Sequence, residues 1–275
     1  MIKIIKDTNS LKENLKLETD IGFVPTMGNL HQGHLSLLSE SLKNHKLSVL
    51  SIFVNPTQFG KHEDFDSYPR TLEDDISRVN ALGAKNIIIY APSSVSEVYG
   101  DCSNIYSIDK STSLLEGEVR QGHFDGVTTV IYHLFNIIKP KAAYFGRKDF
   151  QQLYVVKELV KKYKFNTQIV GMPIVREKDG LAMSSRNNYL SSAQKRQALK
   201  LNKTLNQVVE THKKYRSIDR TNTYISSALA DKSFNYLSLR DADTFERATA
   251  NSKKLIILGN YQIGNTKLLD NIEFD

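Results

Sequence analysis

The spacing of apolar residues changes period several times along the chain, and each change predicts an element. Ile21-Gly22-Phe23-Val24 is continuous and β-prone, whereas Leu35, Leu38 and Leu42 recur at helical spacing. Pro25 and Gly28 stand between them, so strand, tight turn and helix are predicted in that order. Leu47-Ser48-Val49-Leu50-Ser51-Ile52-Phe53-Val54 predicts a second strand, ended sharply by Asn55-Pro56. The stretch 61–70 is polar and reads as a mobile surface loop. Thr71 with Asp74 three residues on is a capping signature, opening a helix to about Leu82 that Gly83 closes. Asn86-Ile87-Ile88-Ile89-Tyr90 reads as a buried strand, Ile105-Tyr106-Ser107-Ile108 as a short one. Asp125 is a suitable N-cap for a helix to about Ile138, stopped by Pro140. A strand at 142–145, a helix at 150–163 and a strand at 168–172 complete this half. Residues 1–20 read as a lead-in helix with charged faces.

Strands alternating with helices predict an α/β fold with a doubly wound parallel sheet. Ligands in such sheets bind beyond the carboxyl ends of the strands. The polar clusters 25–34, 55–59 and 146–149 each follow a predicted strand. After about residue 174 the pattern changes. Ser191 and Gln194 form a capping box for a long helix to about Tyr215, and a second helix is expected near 219–231. Three short strands beginning near 236, 254 and 266 then predict a small mixed or antiparallel sheet. Two domains follow: 1–174, and a smaller C-terminal α+β lid domain, 175–275.

Composition narrows the function. The 275 residues carry a net charge of +7, but the basic residues are spread thinly and interleave with no aromatic stripe. A nucleic-acid partner is therefore not expected; a polyanionic small substrate fits as well. No apolar run approaches 18 residues, so no membrane span is expected. The opening Met1-Ile2-Lys3-Ile4-Ile5 is too short for a signal peptide, and Cys102 is the single cysteine. Internal disulfides and cysteine zinc sites are excluded, and a cytoplasmic location is expected.

The chemistry concentrates in Pro25-Thr26-Met27-Gly28 and His31-Gln32-Gly33-His34. A helix start offers unpaired N–H groups and a positive dipole end, which suits phosphate. Two imidazoles three residues apart can donate to one phosphoryl group, and Gly33 would let the backbone approach a ligand. Other clusters lie downstream: Phe53-Val54-Asn55-Pro56-Thr57-Gln58-Phe59, Tyr68-Pro69-Arg70-Thr71, Leu115-Glu116-Gly117 with Arg120 and Gly122-His123-Phe124. Lys148-Asp149-Phe150-Gln151-Gln152-Leu153 and Met183-Ser184-Ser185-Arg186-Asn187 follow.

Taken in order, these segments resemble the pantoate–β-alanine ligase family over nearly the whole chain. The resemblance implies a Rossmann-like fold and a two-step reaction with ATP: pantoate's carboxylate forms pantoyl adenylate, and β-alanine then displaces AMP. It also implies Mg²⁺ and a homodimer. For the reacting phosphates it points to His31, His34, Lys148, Ser184, Ser185 and Arg186. Met27, Gly28, Gly146, Asp149, Val175 and Met183 join them in binding ATP. Pantoate falls to Pro25, Met27, Gln58 and Gln152. Asn55, Tyr68, Glu116 and Arg120 take supporting places; Glu116 and Arg120, four apart, would equally pair with each other. Asp149 suits the ribose or a helix N-cap. Asp74 and Asp75 are candidates for the Mg²⁺ vicinity, or answer the helix dipole alone; phosphates and water are expected to supply most of the coordination.

Two residues depart from the family pattern. Phe150 stands where tyrosine is usual, and Arg147 where glutamate is usual, so Arg147 either adds to phosphate attraction or points to solvent. Among rival readings, another nucleotidyltransferase would attack with a phosphate and keep AMP in its product. The Asn-Pro-x-Gln and Lys-Asp-x-Gln-Gln segments suit a hydroxy acid better.

Overall fold

The computed structural model describes residues 2–61, 63–108 and 111–275. Met1 and His62, which fall in the predicted lead-in and 61–70 loop, lie outside them. The chain forms two compact units: Met1–Arg147 with Gln151–Pro173, and Lys148–Phe150 with Ile174–Asp275.

The first unit is built on six parallel strands, β1 (Ile2–Ile5), β2 (Ile21–Thr26), β3 (Leu47–Ile52), β4 (Ile87–Tyr90), β5 (Ala142–Gly146) and β6 (Gln168–Met172). Consecutive residues of the inner strands β2, β3, β4 and β5 enter opposite cores, as the two-residue period requires. Phe23, Val49, Ile88 and Ala143 lie in one core; Val24, Leu50, Ile89 and Ala142 lie in the other. That is why these strands read as unbroken apolar runs. The connections contain α1 (Thr8–Leu15), α2 (Gln32–Asn44), α3 (Leu72–Asn80), α4 (Val95–Tyr99), α5 (Glu116–Val119), α6 (His123–Ile138) and α7 (Phe150–Lys162). Leu11 and Phe135 belong to the first core, Leu38 and Val79 to the second, so helices cover both faces.

The spatial order is β1-β4-β3-β2-β5-β6. The chain moves outward from β2 through β3 and β4, then returns to start β5 on the other side of β2. The order therefore reverses between β2 and β5, the place where such sheets bind ligands. The two strands pair only at Gly22 and Phe23, whereas β2 stays paired with β3 as far as Thr26. Pro25, which has no N–H, falls where β5 has already parted from β2.

Four local expectations need correction. The lead-in holds a strand, β1, before its helix: Ile2–Ile5 pairs in register with Ile87–Tyr90 at the sheet edge. Residues 105–108 form no strand; the Tyr106 N–H donates to Thr129 Oγ1 (3.0 Å) and its ring stacks on Tyr132 at 3.5 Å. Thr71 precedes α3 without a side-chain cap, because its hydroxyl turns to Asp75 Oδ2 at 3.3 Å. Gly122, in the left-handed region at φ +78°, caps α6, and Asp125 sits inside the first turn.

In the second unit, α8 (Ser192–Tyr215) and α9 (Ile218–Ala228) accompany an antiparallel sheet of β7 (Phe234–Asp241), β8 (Leu255–Ile263) and β9 (Thr266–Phe274). Ser191 and Gln194 close a reciprocal capping box at the start of α8. Ala198, Leu201, Leu205 and Val208 follow at helical spacing and share a core with Leu237, Ile257 and Leu268.

Candidate active site

The β2–α2 turn is held by its own polar groups and by Asp75. Thr26 Oγ1 donates to the Ser51 carbonyl (2.7 Å) and accepts from the Gly28 N–H (3.2 Å). Gly28 takes φ +84°, a conformation side chains disfavour. Beyond it, the buried Asp75 carboxylate accepts from the N–H groups of Asn29 (2.9 Å) and Leu30 (2.7 Å). Burial raises the Asp75 pKa, against the lowering effect of those N–H groups.

His31 itself caps α2. Its Nδ1 accepts from the Gly33 N–H (3.1 Å), and His34 Nδ1 accepts from the His31 N–H (3.3 Å). Each neutral ring therefore carries its proton on Nε2, as a donor. The ring centroids are 4.1 Å apart and tilted by 31°. The glycine between them also has a local reason: a Cβ on Gly33 would lie 2.8 Å from the His31 ring.

The turn after β3 presents a second group. Asn55 is 1 % exposed, and its Oδ1 accepts from Thr57 N (3.3 Å), Thr57 Oγ1 (3.0 Å) and Tyr99 OH (2.7 Å). Its Nδ2 donates to Gln58 Oε1 (3.1 Å) and to the Gly126 carbonyl (3.2 Å). Gln58 Nε2 donates to Met27 Sδ at 3.1 Å, joining this turn to the end of β2. The approach of α6 depends on Gly126, where a Cβ would meet the Thr57 carbonyl oxygen at 2.2 Å. Sequence reasoning passed over Gly126, though a glycine inside an apolar helix was its signal.

Described residues of the 61–70 stretch make several side-chain contacts. Arg120 forms a two-pronged ion pair with Glu63 (2.6 and 2.7 Å) and meets His123 Nε2 at 3.1 Å. Burial works to raise the Glu63 pKa, but the Arg120 hydrogen bonds and charge outweigh it and hold it at about 2. Phe59 packs edge-on against Phe65 (5.3 Å) and the buried Tyr68 (5.8 Å), and the Arg70 guanidinium lies over Phe65. Arg120 thus takes Glu63 as its ion-pair partner; Glu116, the expected candidate, is buried, and its N–H donates to Gln151 Oε1 (3.2 Å). Gln151 also donates to the carbonyls of Ser111 (2.8 Å) and Leu114 (2.7 Å), an anchoring place its motif did not reveal. Gly146 ends β5, Gln152 is half-buried in α7, and Arg147 Nε donates to the Gly171 carbonyl at 3.2 Å.

Lys148, Asp149, Val175, Met183, Ser184, Ser185 and Arg186 belong to the second unit. Lys148 Nζ lies 3.0 Å from Asp149 Oδ1, and its carbonyl accepts from Asn271 Nδ2 (2.8 Å). Val175 and Met183 close a short hairpin through Met183 N–H to Val175 O (3.0 Å), with Arg176 bridged to Ala182 inside it. Arg176 pairs with the buried Asp270 carboxylate at 2.7 and 2.8 Å. Ser184 caps the short 3₁₀ turn Ser185–Tyr189 by accepting from Arg186 N (3.3 Å). Asn187 fastens that turn to Glu177 (2.9 Å) and the Ala182 carbonyl (3.0 Å).

Asp74 and Asp75 do not converge. Asp74 is exposed on α3, while Asp75 is sealed at 1 % exposure with both oxygens engaged by the 29–30 turn and Thr71. Among the described residues no group of three or more His, Cys, Asp or Glu is placed to hold a metal. The pair does not fit a Mg²⁺ ligand set.

A protein-family model described as pantoate-beta-alanine ligase matches residues 1–273. The chain belongs to that family. Pantothenate synthetase of Shewanella loihica is 43% identical over 257 residues, covering 93% of this chain and 91% of its own. That of Acetivibrio thermocellus is 41% identical over 285 residues, covering 98% and 99%. Among solved structures, a pantothenate synthetase from Thermus thermophilus superposes with a TM-score of 0.91, at 35% identity and 99% coverage of both chains. A pantoate-beta-alanine ligase from Francisella tularensis, complexed with beta-gamma ATP and beta-alanine, has a TM-score of 0.74 at 29% identity, covering 99% of this chain and 97% of its own. The Rossmann-like sheet with a small antiparallel domain is thus the fold of pantothenate synthetases, and this family member is an enzyme, a ligase.

Proposed function

We propose that the chain makes pantothenate from pantoate and β-alanine with ATP, through pantoyl adenylate. Pantoate's carboxylate oxygen attacks the α-phosphorus, a P–O bond forms, and the bond to the β-phosphate oxygen breaks with release of pyrophosphate. The β-alanine amine then attacks the acyl carbon; AMP leaves with the electron pair, and the amine proton passes to water or a substrate phosphate. The observation that carries this reading is the α2 start, where two imidazoles have both Nδ1 atoms engaged and hold their protons on Nε2. Such preorganised donors stabilise charge that builds on phosphate oxygens in the transition state.

Lys148, Ser184, Ser185 and Arg186 are assigned to ATP's phosphates, with Met27, Gly28, Gly146, Val175 and Met183 around the nucleotide and Asp149 at its ribose. Pro25, Met27, Gln58 and Gln152 are assigned to pantoate, with Asn55, Tyr68, Glu116 and Arg120 supporting. Mg²⁺ enters this reading as an ion carried by ATP's phosphates and water, with no protein carboxylate assigned to it. A cytoplasmic homodimer completes it.

Pyrophosphate release with ATP and pantoate alone, followed by AMP release only once β-alanine is added, is the expected single-turnover result. Pyrophosphate that waits for β-alanine would overturn the adenylate. Turnover with a phosphate acceptor in place of pantoate would favour the other nucleotidyltransferases.

A further inference from the structure

Gln58 can present either end of its amide to a substrate, and the two ends recognise opposite partners. The structure decides between them through groups whose polarity is not adjustable. The Thr57 backbone N–H can only donate, so the Asn55 atom facing it at 3.3 Å is Oδ1. The Gly126 carbonyl can only accept, so the atom facing it at 3.2 Å is Nδ2. Asn55 is thereby fixed in one orientation, and the second proton of its Nδ2 goes to Gln58, whose facing atom, 3.1 Å away, must be Oε1. Gln58 is left with Nε2 directed toward Met27 at the end of β2.

Tyr99 completes the set. At the end of α4, far in sequence from every motif described above, it is 9 % exposed and its hydroxyl lies 2.7 Å from Asn55 Oδ1, with Thr57 Oγ1 3.1 Å away. Phe53 and His133 flank its ring, at 6.5 and 5.0 Å between centroids.

We propose that Tyr99 is a positioning residue that acts through Asn55 to hold Gln58 as an amide N–H donor toward an oxygen of the acid substrate. The inference rests on the assignment of Gln58 to pantoate. Removing the Tyr99 hydroxyl leaves Asn55 Oδ1 with its two Thr57 donors, so the orientation loosens without being lost.

Tyr99→Phe is expected to raise the pantoate KM roughly 3- to 10-fold, the factor one buried neutral hydrogen bond carries, with the ATP KM within about twofold of wild type. In a Gln58→Ala background the same change is expected to add nothing to the pantoate KM, because the two residues act as one unit. A pantoate KM unmoved by Tyr99→Phe, an ATP KM that rises in step, or an equal effect without Gln58 would overturn the proposal. Side-chain amide hydrogen exchange of Asn55, followed by NMR in the substrate-free protein, separates this from the functional reading. Exchange should quicken severalfold in Tyr99→Phe, and unchanged exchange would also overturn the proposal. Wild-type protein that makes no pantothenate while this exchange still quickens would instead remove the functional reading and leave the Tyr99–Asn55 link standing.

Discussion

The β2–α2 turn and the 175–187 segment both carry residues assigned to ATP, yet they are held in different ways. In the turn the assigned side chains are themselves the scaffold: His31 caps its helix and His34 accepts from the His31 N–H. In the 175–187 segment Ser185 and Arg186 ride on a frame built by neighbours, the Arg176–Asp270 pair and the Asn187 amide. Chemistry and local order are therefore entangled in the first region and separable in the second. A substitution at the helix start alters both; one in the hairpin frame alters stability alone.

The largest effect is expected from His34→Ala, with turnover falling about 10²–10³-fold, the loss that follows removal of a preorganised oxyanion donor. Steady-state rates measured beside a urea melt check it, and a near-normal rate would take the imidazole out of the reaction. Arg176→Ala should do the reverse. Leaving the buried Asp270 without its cation costs about 3 kcal/mol of stability, while kcat below the melting temperature stays within about threefold. A kcat that collapsed with folding intact would erase the distinction between the two regions.

Asp75→Ala sharpens the same contrast within the first unit. Two backbone N–H groups lose their acceptor, so a loss of about 2–3 kcal/mol in urea unfolding is expected, against less than about 0.5 kcal/mol for the exposed Asp74→Ala. Equal effects would mean that the carboxylate does not anchor the turn. The smallest effect is a pH dependence. Glu63 has its pKa lowered from 4.5 to about 2, so its pairing with Arg120 is fully present above pH 4.5 and is lost as pH falls toward 2. Over that window wild type should lose roughly 1–2 kcal/mol, allowing for partial solvent screening, that Glu63→Gln does not lose. Parallel curves for the two proteins would show the ion pair to be inert.

Much of this was legible in the chain because it is local. The strand–turn–helix at 21–44, the Ser191–Gln194 box and the antiparallel strands depend on neighbours a few residues away, and the structure has them. What escaped depends on distant partners. β1 is a strand only because β4, some 85 residues later, lies beside it. Asp75 looked like a metal candidate or a dipole partner, since nothing nearby says that a turn 45 residues earlier needs its oxygens. The Thr71–Asp74 signature failed through a nearer partner: the Thr71 hydroxyl turns to Asp75, four residues on, whose carboxylate is held by the distant 29–30 turn. Arg120 was offered Glu116 by helical spacing, but its ion-pair partner is Glu63, 57 residues upstream.

Gly126 sets a limit on how this enzyme can drift. The gap between α6 and the carbonyl of Thr57 is one that no methyl group fits, at 2.2 Å. Alanine is a single base change from any glycine codon, so the lineage meets this mutation often. Each time it would have to push the helix off the loop that carries Asn55 and Gln58, so selection on the ligase would be felt at a residue that has no side chain of its own to contribute.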